Sequence, residues 1–301
     1  MLVDGGGEPA TVAERVCTLV REGTVSAVVG THASDVRVAL ARSIGGIVPY
    51  VYTPPYEGGE RTPGVYLAGE TPDRQLRPII RWLVETRGLR RWFLLGNDYI
   101  WPRRLHAAAR SYLRSAGVQT VGQRYVHRGH ADPDRLVDAI ATARADAVLV
   151  TLIGRDLVEF NRAMAASPVG QRVARLCAAL EENGLLGAAG DDTGELYAAM
   201  GYFGAVTTDE SLAFRERYVA RYGPHAPVLN GHGEACYGGV LLLAALARRA
   251  GSLAPPELDA VADGTTVVGG RGTLTVRHRH VDQPVYLARA NGLDFDVLRS
   301  F

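Results

Sequence analysis

Eight histidines and three cysteines are the residues of this 301-residue chain whose types could drive catalysis or hold a metal. The tightest groupings are His127-x-x-His130 followed by Asp132, His232-x-Glu234, and His278-x-His280, with His225 standing alone. A protein zinc centre needs three or four such ligands converging at tetrahedral geometry. Here His127 and His130 have no third ligand at a recognised spacing, and His232-Gly-Glu lacks the H-E-x-x-H pattern. His278 and His280 would share one face of a strand, flanked by Arg277 and Arg279 as on a solvated edge. Cys17, Cys177 and Cys236 lie far apart without a C-x-x-C pair and read as small apolar residues. All 33 basic residues are Arg, so no lysine can serve as Schiff base, general base or P-loop cation. No G-x-S-x-G, Walker A or G-x-G-x-x-G segment follows a strand. The chain therefore reads as a non-enzyme, with no cofactor and no metal.

A different chemistry is concentrated in a few loops. Thr31, His32, Ser34 and Asp35 follow one apolar run, and Tyr52-Thr53-Pro54-Pro55-Tyr56-Glu57-Gly58 follows the next. Asn97-Asp98-Tyr99-Ile100-Trp101-Pro102 occupies the equivalent place further on, and Thr151 and Tyr202 end or follow later runs. Hydroxyls, amides and amphipathic aromatic rings of this kind hold small polar molecules without transforming them. Ser34 either caps the following helix or presents its hydroxyl and the free helix amides to a ligand oxygen.

The elements that position these loops alternate between short β-branched runs and amphipathic stretches. Strands are expected over 26–30, 48–52, 65–68, 92–96, 119–125 and 147–152. Helices are expected over 11–22, 35–44, 72–86, 102–115, 133–143 and 157–166. Such a βαβα series implies parallel sheets covered by helices, and ligands then bind at the carboxyl ends of the strands. The Ala- and Leu-rich stretch 171–190 reads as helix, as do 211–222 and 234–250. The tail reads as strands over 272–276, 284–290 and 295–298, with Asn291-Gly292 as a hairpin turn.

The net charge of +1 gives no field that draws nucleic acid or anionic lipid. No apolar run is long enough for a membrane span. The first residues lack the basic and apolar regions of a signal peptide, so the expected location is cytoplasmic.

At the ligand-type loops the sequence resembles the amide- and urea-binding branch of the type 1 periplasmic-binding-protein family. That branch comprises amidase-operon amide sensors and the urea-binding components of ABC transporters. The matching stretches are GTHASDVR (30–37), YTPPYEG (52–58), GNDYIWPR (96–103), ARADAVLVTLIG (143–154) and HGEACYGGVLLLAAL (232–246). The resemblance implies two Rossmann-like α/β lobes joined by a three-crossover hinge, with residues 1–88 and 205–264 in lobe 1 and 89–204 and 265–301 in lobe 2. It implies a ligand cleft between the lobes that closes by hinge motion. Ser34 and Tyr52 would contact ligand from the first lobe and Tyr99 from the second, with Thr31, Thr53, Asp98, Trp101, Thr151 and Tyr202 around them. A further strand–helix unit ahead of Leu2–Gly6 is also implied, which leaves lobe 1 truncated and makes an extracytoplasmic location the alternative. The expected ligand is a short aliphatic amide or urea, with a branched amino acid as the other candidate. The implied partners are a regulator protein, an ABC permease or further copies of the chain. An enzyme and a non-binding interaction remnant stay open beside this reading.

Overall fold

In the computed structural model, which describes Met1–Phe301, the early elements alternate as the apolar spacing predicts. They are helix α1 (Pro9–Arg21), strand β1 (Val28–Gly30), helix α2 (Ser34–Ile44), and strands β2 (Tyr50–Tyr52) and β3 (Val65–Leu67). The stretch expected as one helix over 72–86 is two, α3 (Pro72–Gln75) and α4 (Arg77–Arg87). Pro78 accounts for the break, because it has no N–H to donate to the carbonyl one turn back. Strand β4 (Arg91–Asn97), helix α5 (Ile100–Ser115), β5 (Gln119–Val126), α6 (Pro133–Thr142), β6 (Ala147–Thr151) and α7 (Gly154–Ala166) then follow the expected order.

The stretch 171–190 is not one helix. It holds strand β7 (Ala174–Cys177) and a short helix α8 (Glu182–Gly187), and strand β8 (Leu196–Met200) follows. Every residue of β7 and β8 is buried. A strand covered on both faces shows no polar alternation, so its sequence cannot be told from a buried helix. Helices α9 (Asp209–Tyr222), α10 (Gly231–Ala250) and α11 (Pro255–Ala262) lead into the tail strands β9 (Thr266–Gly269), β10 (Gly272–Arg277), β11 (His280–Asp282), β12 (Tyr286–Asn291) and β13 (Asp294–Ser300). Asn291 pairs with Asp294 across the Asn291-Gly292 hairpin. His278 does not share a strand face with His280. Arg277 pairs with His280, and His278-Arg279 form the two-residue turn between β10 and β11, both at positive φ.

The chain divides into two compact units. Met1–Glu70, Thr207–Ala226 and His232–Gln283 form the first; Thr71–Val206, Pro227–Gly231 and Pro284–Phe301 form the second. The boundaries differ from those expected, because 71–88 belongs to the second unit and 265–283 to the first. Packing explains both shifts. Ile79, Ile80, Leu83 and Val84 of α4 share a core with Trp92, Leu94 and Leu105, whereas β9–β11 extend the sheet that begins with β1–β3.

Each unit is built on one sheet. The first has the order β1-β2-β3-β11-β10-β9, and the second β13-β12-β8-β7-β6-β4-β5. Both are mixed rather than wholly parallel. The pairs β1–β2, β2–β3 and β3–β11 are parallel, and β11–β10–β9 antiparallel. In the second unit, β8 through β5 are parallel while β12 and β13 join by antiparallel pairing. Tight turns join β9 to β10, β10 to β11 and β12 to β13, and a tight turn pairs the two strands it joins antiparallel. β1 is an edge strand, and a groove of about 330 Å³ beside it is lined by Leu2, Val12, Val16, Val28, Val29 and Cys236 among others.

Ion clusters are sealed inside both units. In the second, Arg175 pairs with Asp191 at 2.8 Å, with the two side chains 0% and 1% exposed. In the first, the Arg271 guanidinium meets Glu70 at 3.1 Å, Gln283 at 2.9 Å and Glu234, and Gln283 donates onward to the Ala68 carbonyl at 3.0 Å. Glu70, Glu234 and Gln283 each stand within a few residues of a point where the chain passes from one unit to the other. The three cysteines are unpaired; Cys177 is buried, while Cys17 and Cys236 are only half-buried. No helix is long and apolar enough to cross a membrane.

Candidate functional site

Four of the residues singled out in the sequence come together at the carboxyl ends of β1 and β2 in the first unit. Helix α2 begins at Ser34 itself, with Ala33 as N-cap and no side-chain cap, so Ser34 is not the capping residue. Its hydroxyl lies 3.3 Å from the Tyr52 hydroxyl, and Tyr52 donates to the His32 carbonyl at 2.9 Å. With its one proton so placed, Tyr52 leaves Ser34 as a donor held by a long bond. Thr31 and Thr53 lie 2.6 Å apart, Thr53 donates to the Gly30 carbonyl at 3.1 Å, and Cys236 Sγ lies 3.2 Å from Thr31. The Thr53 side chain is wholly buried, and its hydroxyl holds the β1 and β2 ends together.

Aromatic rings wall this hydroxyl set. His32 lies against Tyr50 and Tyr52 at centroid distances of 6.0 and 5.2 Å, and Tyr52 meets Tyr56 edge-on. Burial depresses the His32 pKa, and burial likewise raises those of Tyr50, Tyr52 and Tyr56. All four rings are therefore neutral near pH 7. The Pro54-Pro55 turn that sets Tyr56 in place rests against Gly69, where an added Cβ would stand 1.7 Å from the Pro54 carbonyl oxygen. A Gly69→Ala variant is expected to lose about 3 kcal/mol of stability, measured by urea denaturation, because backbone rather than a flexible side chain must yield. A loss below 1 kcal/mol would mean that the turn is loosely held.

The sequence reading passed over one charged group here. Arg37, one turn beyond Ser34, is 3% exposed. Its guanidinium lies 5.7 Å from the Tyr52 ring centroid and 5.5 Å from that of Tyr56. It pairs with Glu57 at 2.7 Å and with Glu60. Glu57 lies in the YEG stretch already noted, but which cation it would meet depends on how α2 packs on β2.

In the second unit, Asp98 and Tyr99 form the turn between β4 and α5, and Trp101 lies in the first turn of α5. Asp98 is bound to Arg103 at 2.6 Å, and that hydrogen bond lowers its pKa. Arg128 lies 4.9 Å from the Tyr99 ring centroid. The Trp101 ring is tilted against Tyr99 at 6.3 Å, and its buried Nε1 has no hydrogen-bond partner. Asn97 anchors the turn, donating to Asp156 at 2.6 Å and accepting from the Ile153 amide at 2.9 Å.

Thr151 is placed differently from an open ligand contact. It is wholly buried, donates to the Leu95 carbonyl at 3.1 Å and meets His106 Nε2 at 2.9 Å. Because the hydroxyl proton goes to Leu95, His106 carries its proton on Nε2. Burial, with Arg110 nearby, pushes the His106 pKa down to about 3. Tyr202 follows β8 and is fully buried. Glu182, which the sequence did not single out, accepts from the Gly204 amide at 2.6 Å, and burial lifts its pKa to about 7. No cluster of three or more His, Cys, Asp or Glu side chains converges as a metal site would require.

Comparison with known proteins bears on the fold. A family model described as periplasmic binding protein matches residues 2–294. A solute binding protein of an ABC transporter from R. palustris, solved in complex with benzoate, superposes with a TM-score of 0.83 at 17% identity, over 99% of this chain and 83% of that one. A leucine binding protein from Thermotoga maritima superposes with a TM-score of 0.83 at 16% identity, over 100% and 87%. A leucine-, isoleucine-, valine-, threonine- and alanine-binding protein from Brucella ovis gives 0.80 at 17%, over 99% and 83%.

Proposed function

The chain belongs to the periplasmic binding protein family, and from that premise we propose that it binds a short neutral amide or urea without transforming it. The observation that carries this reading is the Ser34–Tyr52 hydroxyl pair, walled by neutral rings, beside an Arg37 whose charge is already met by Glu57 and Glu60. A carbonyl oxygen would accept from Ser34, and the ligand's alkyl or amino edge would lie on the tyrosine rings. Tyr99 and Trp101 are the proposed contacts from the second lobe, taken up as the lobes close by hinge motion. Thr53 and Thr151 support their strand ends. The proposed role is that of a sensor or of an ABC-transporter receptor, and in either case closure is the signal read by a partner protein.

Titration of the purified chain with acetamide, propionamide and urea tests this, with leucine and benzoate as competing ligand classes. An amide at about 100 times its Kd adds roughly 2.7 kcal/mol to the folded state, visible as a raised melting temperature. Ser34→Ala and Tyr99→Phe are each expected to weaken amide binding about tenfold, as the loss of one hydrogen bond does. Stabilisation by leucine or benzoate alone would assign the site to another ligand class.

A further inference from the structure

The Arg37 cluster carries more negative than positive charge. One guanidinium faces two carboxylates, with side-chain exposures of 4% for Arg37, 4% for Glu57 and 11% for Glu60. Glu60 has its own anchors: its Oε1 accepts from the Arg61 and Thr62 amides and the Thr62 hydroxyl. Glu57 has none, for its Oε1 meets Arg37 and its Oε2 is buried without a hydrogen-bond partner. Balancing Arg37 needs one carboxylate, so the second leaves a net negative charge in a dry setting. There it is weakly screened, and its reach extends well beyond contact distance. The guanidinium that holds Glu57 lies 5.7 Å from the Tyr52 ring centroid, so the cluster stands beside the Ser34–Tyr52 hydroxyls. Asp35, next to Ser34 in the first turn of α2, adds another acidic residue there.

The N-terminus of α2 would by itself favour an anion. We infer that Glu57 is a specificity-determining residue: with Glu60 it outweighs Arg37 and makes the hydroxyl site reject carboxylates in favour of ligands of the same shape that are neutral. This rests on the proposed reading of the site as an amide or urea binder. Glu57 acts through the field, and needs no contact with the ligand.

The test compares propionamide with propionate, which share size and differ in charge, on the wild type, Glu57→Gln and Glu60→Gln by calorimetry. Gln keeps an acceptor for Arg37 and removes one charge. Propionate is expected to gain roughly tenfold in affinity in Glu57→Gln, the effect of one unit charge at a separation of several ångströms and intermediate dielectric. Propionamide is expected to stay within about twofold, as a neutral ligand hardly senses the field. Glu60→Gln should give the same direction of change, so a poorly folded Glu57 variant does not remove the test. Equal changes for both ligands, no propionate gain in either variant, or a wild type that already takes propionate as tightly as propionamide would each overturn the inference. A wild type that binds propionate alone also overturns the proposed amide function, whereas normal amide binding with no propionate gain leaves that function standing.

Discussion

Arg271→Met is expected to lower the stability of the protein by about 3–5 kcal/mol, the cost of stranding buried charge when one member of a sealed ion cluster is removed. Glu70, Glu234 and Arg271 have side-chain exposures of 1%, 0% and 3%. Methionine fills much of the arginine volume, so the loss would report charge rather than a cavity. Two carboxylates would then lie in apolar surroundings, where desolvation favours their protonated forms. Their folded-state pKa values would rise above the unfolded ones, so the penalty should shrink as the pH falls. Urea denaturation of both proteins at neutral and acidic pH measures this, and a difference that stays constant or grows in acid would contradict the account. Adding Glu234→Gln should recover part of the loss.

The second large effect is a loss of stability in acid from two buried neutral histidines. Burial lowers the His232 pKa from 6.5 to about 4, with Arg271 adding to the shift. Burial, with Arg110, lowers that of His106 from 6.5 to about 3. Each depressed value means that the unfolded chain takes up the proton first. The stability contribution is complete above 6.5, falls as the pH drops below it, and is gone once the folded-state value is passed. For His232 the full loss is about 3 kcal/mol. Glu182 opposes this: its value is raised from 4.5 to about 7, so acid relieves a penalty there between those limits. Burial raises the Glu181 carboxyl in the same direction, and it lowers His32 along with His106 and His232, so the three imidazoles outweigh the two carboxyls and leave a net fall toward pH 4. His232→Gln should flatten the slope of unfolding free energy against pH between 6.5 and about 4, and an unchanged slope would mean that this imidazole is hydrated.

How far the sequence reaches can be judged from particular residues. That Ser34, Tyr52 and Tyr99 stand at or just beyond strand ends was legible, because hydroxyls and rings crowd the ends of short apolar runs, and those ends are where α/β sheets expose their loops. Glu57 was visible as part of a motif, but its role as the partner of Arg37 was not. That pairing joins residues twenty apart through the packing of α2 on β2. Thr151 shows the reverse case, a residue of the right type at the right strand end whose hydroxyl is spent on Leu95 and His106.

The order of most helices and strands, the α/β class and the two-unit plan follow from the sequence alone. They rest on periodicity and turn chemistry, which are local and written in neighbouring residues. Tertiary structure alone decided the rest. The strands β7 and β8, buried on both faces, carry no alternation to read. The boundaries at Glu70 and Gln283 depend on which core α4 and β9–β11 join. The Arg37 and Arg271 clusters assemble charges from distant segments, and a charge's partner inside a protein is set by which surfaces meet, not by spacing along the chain.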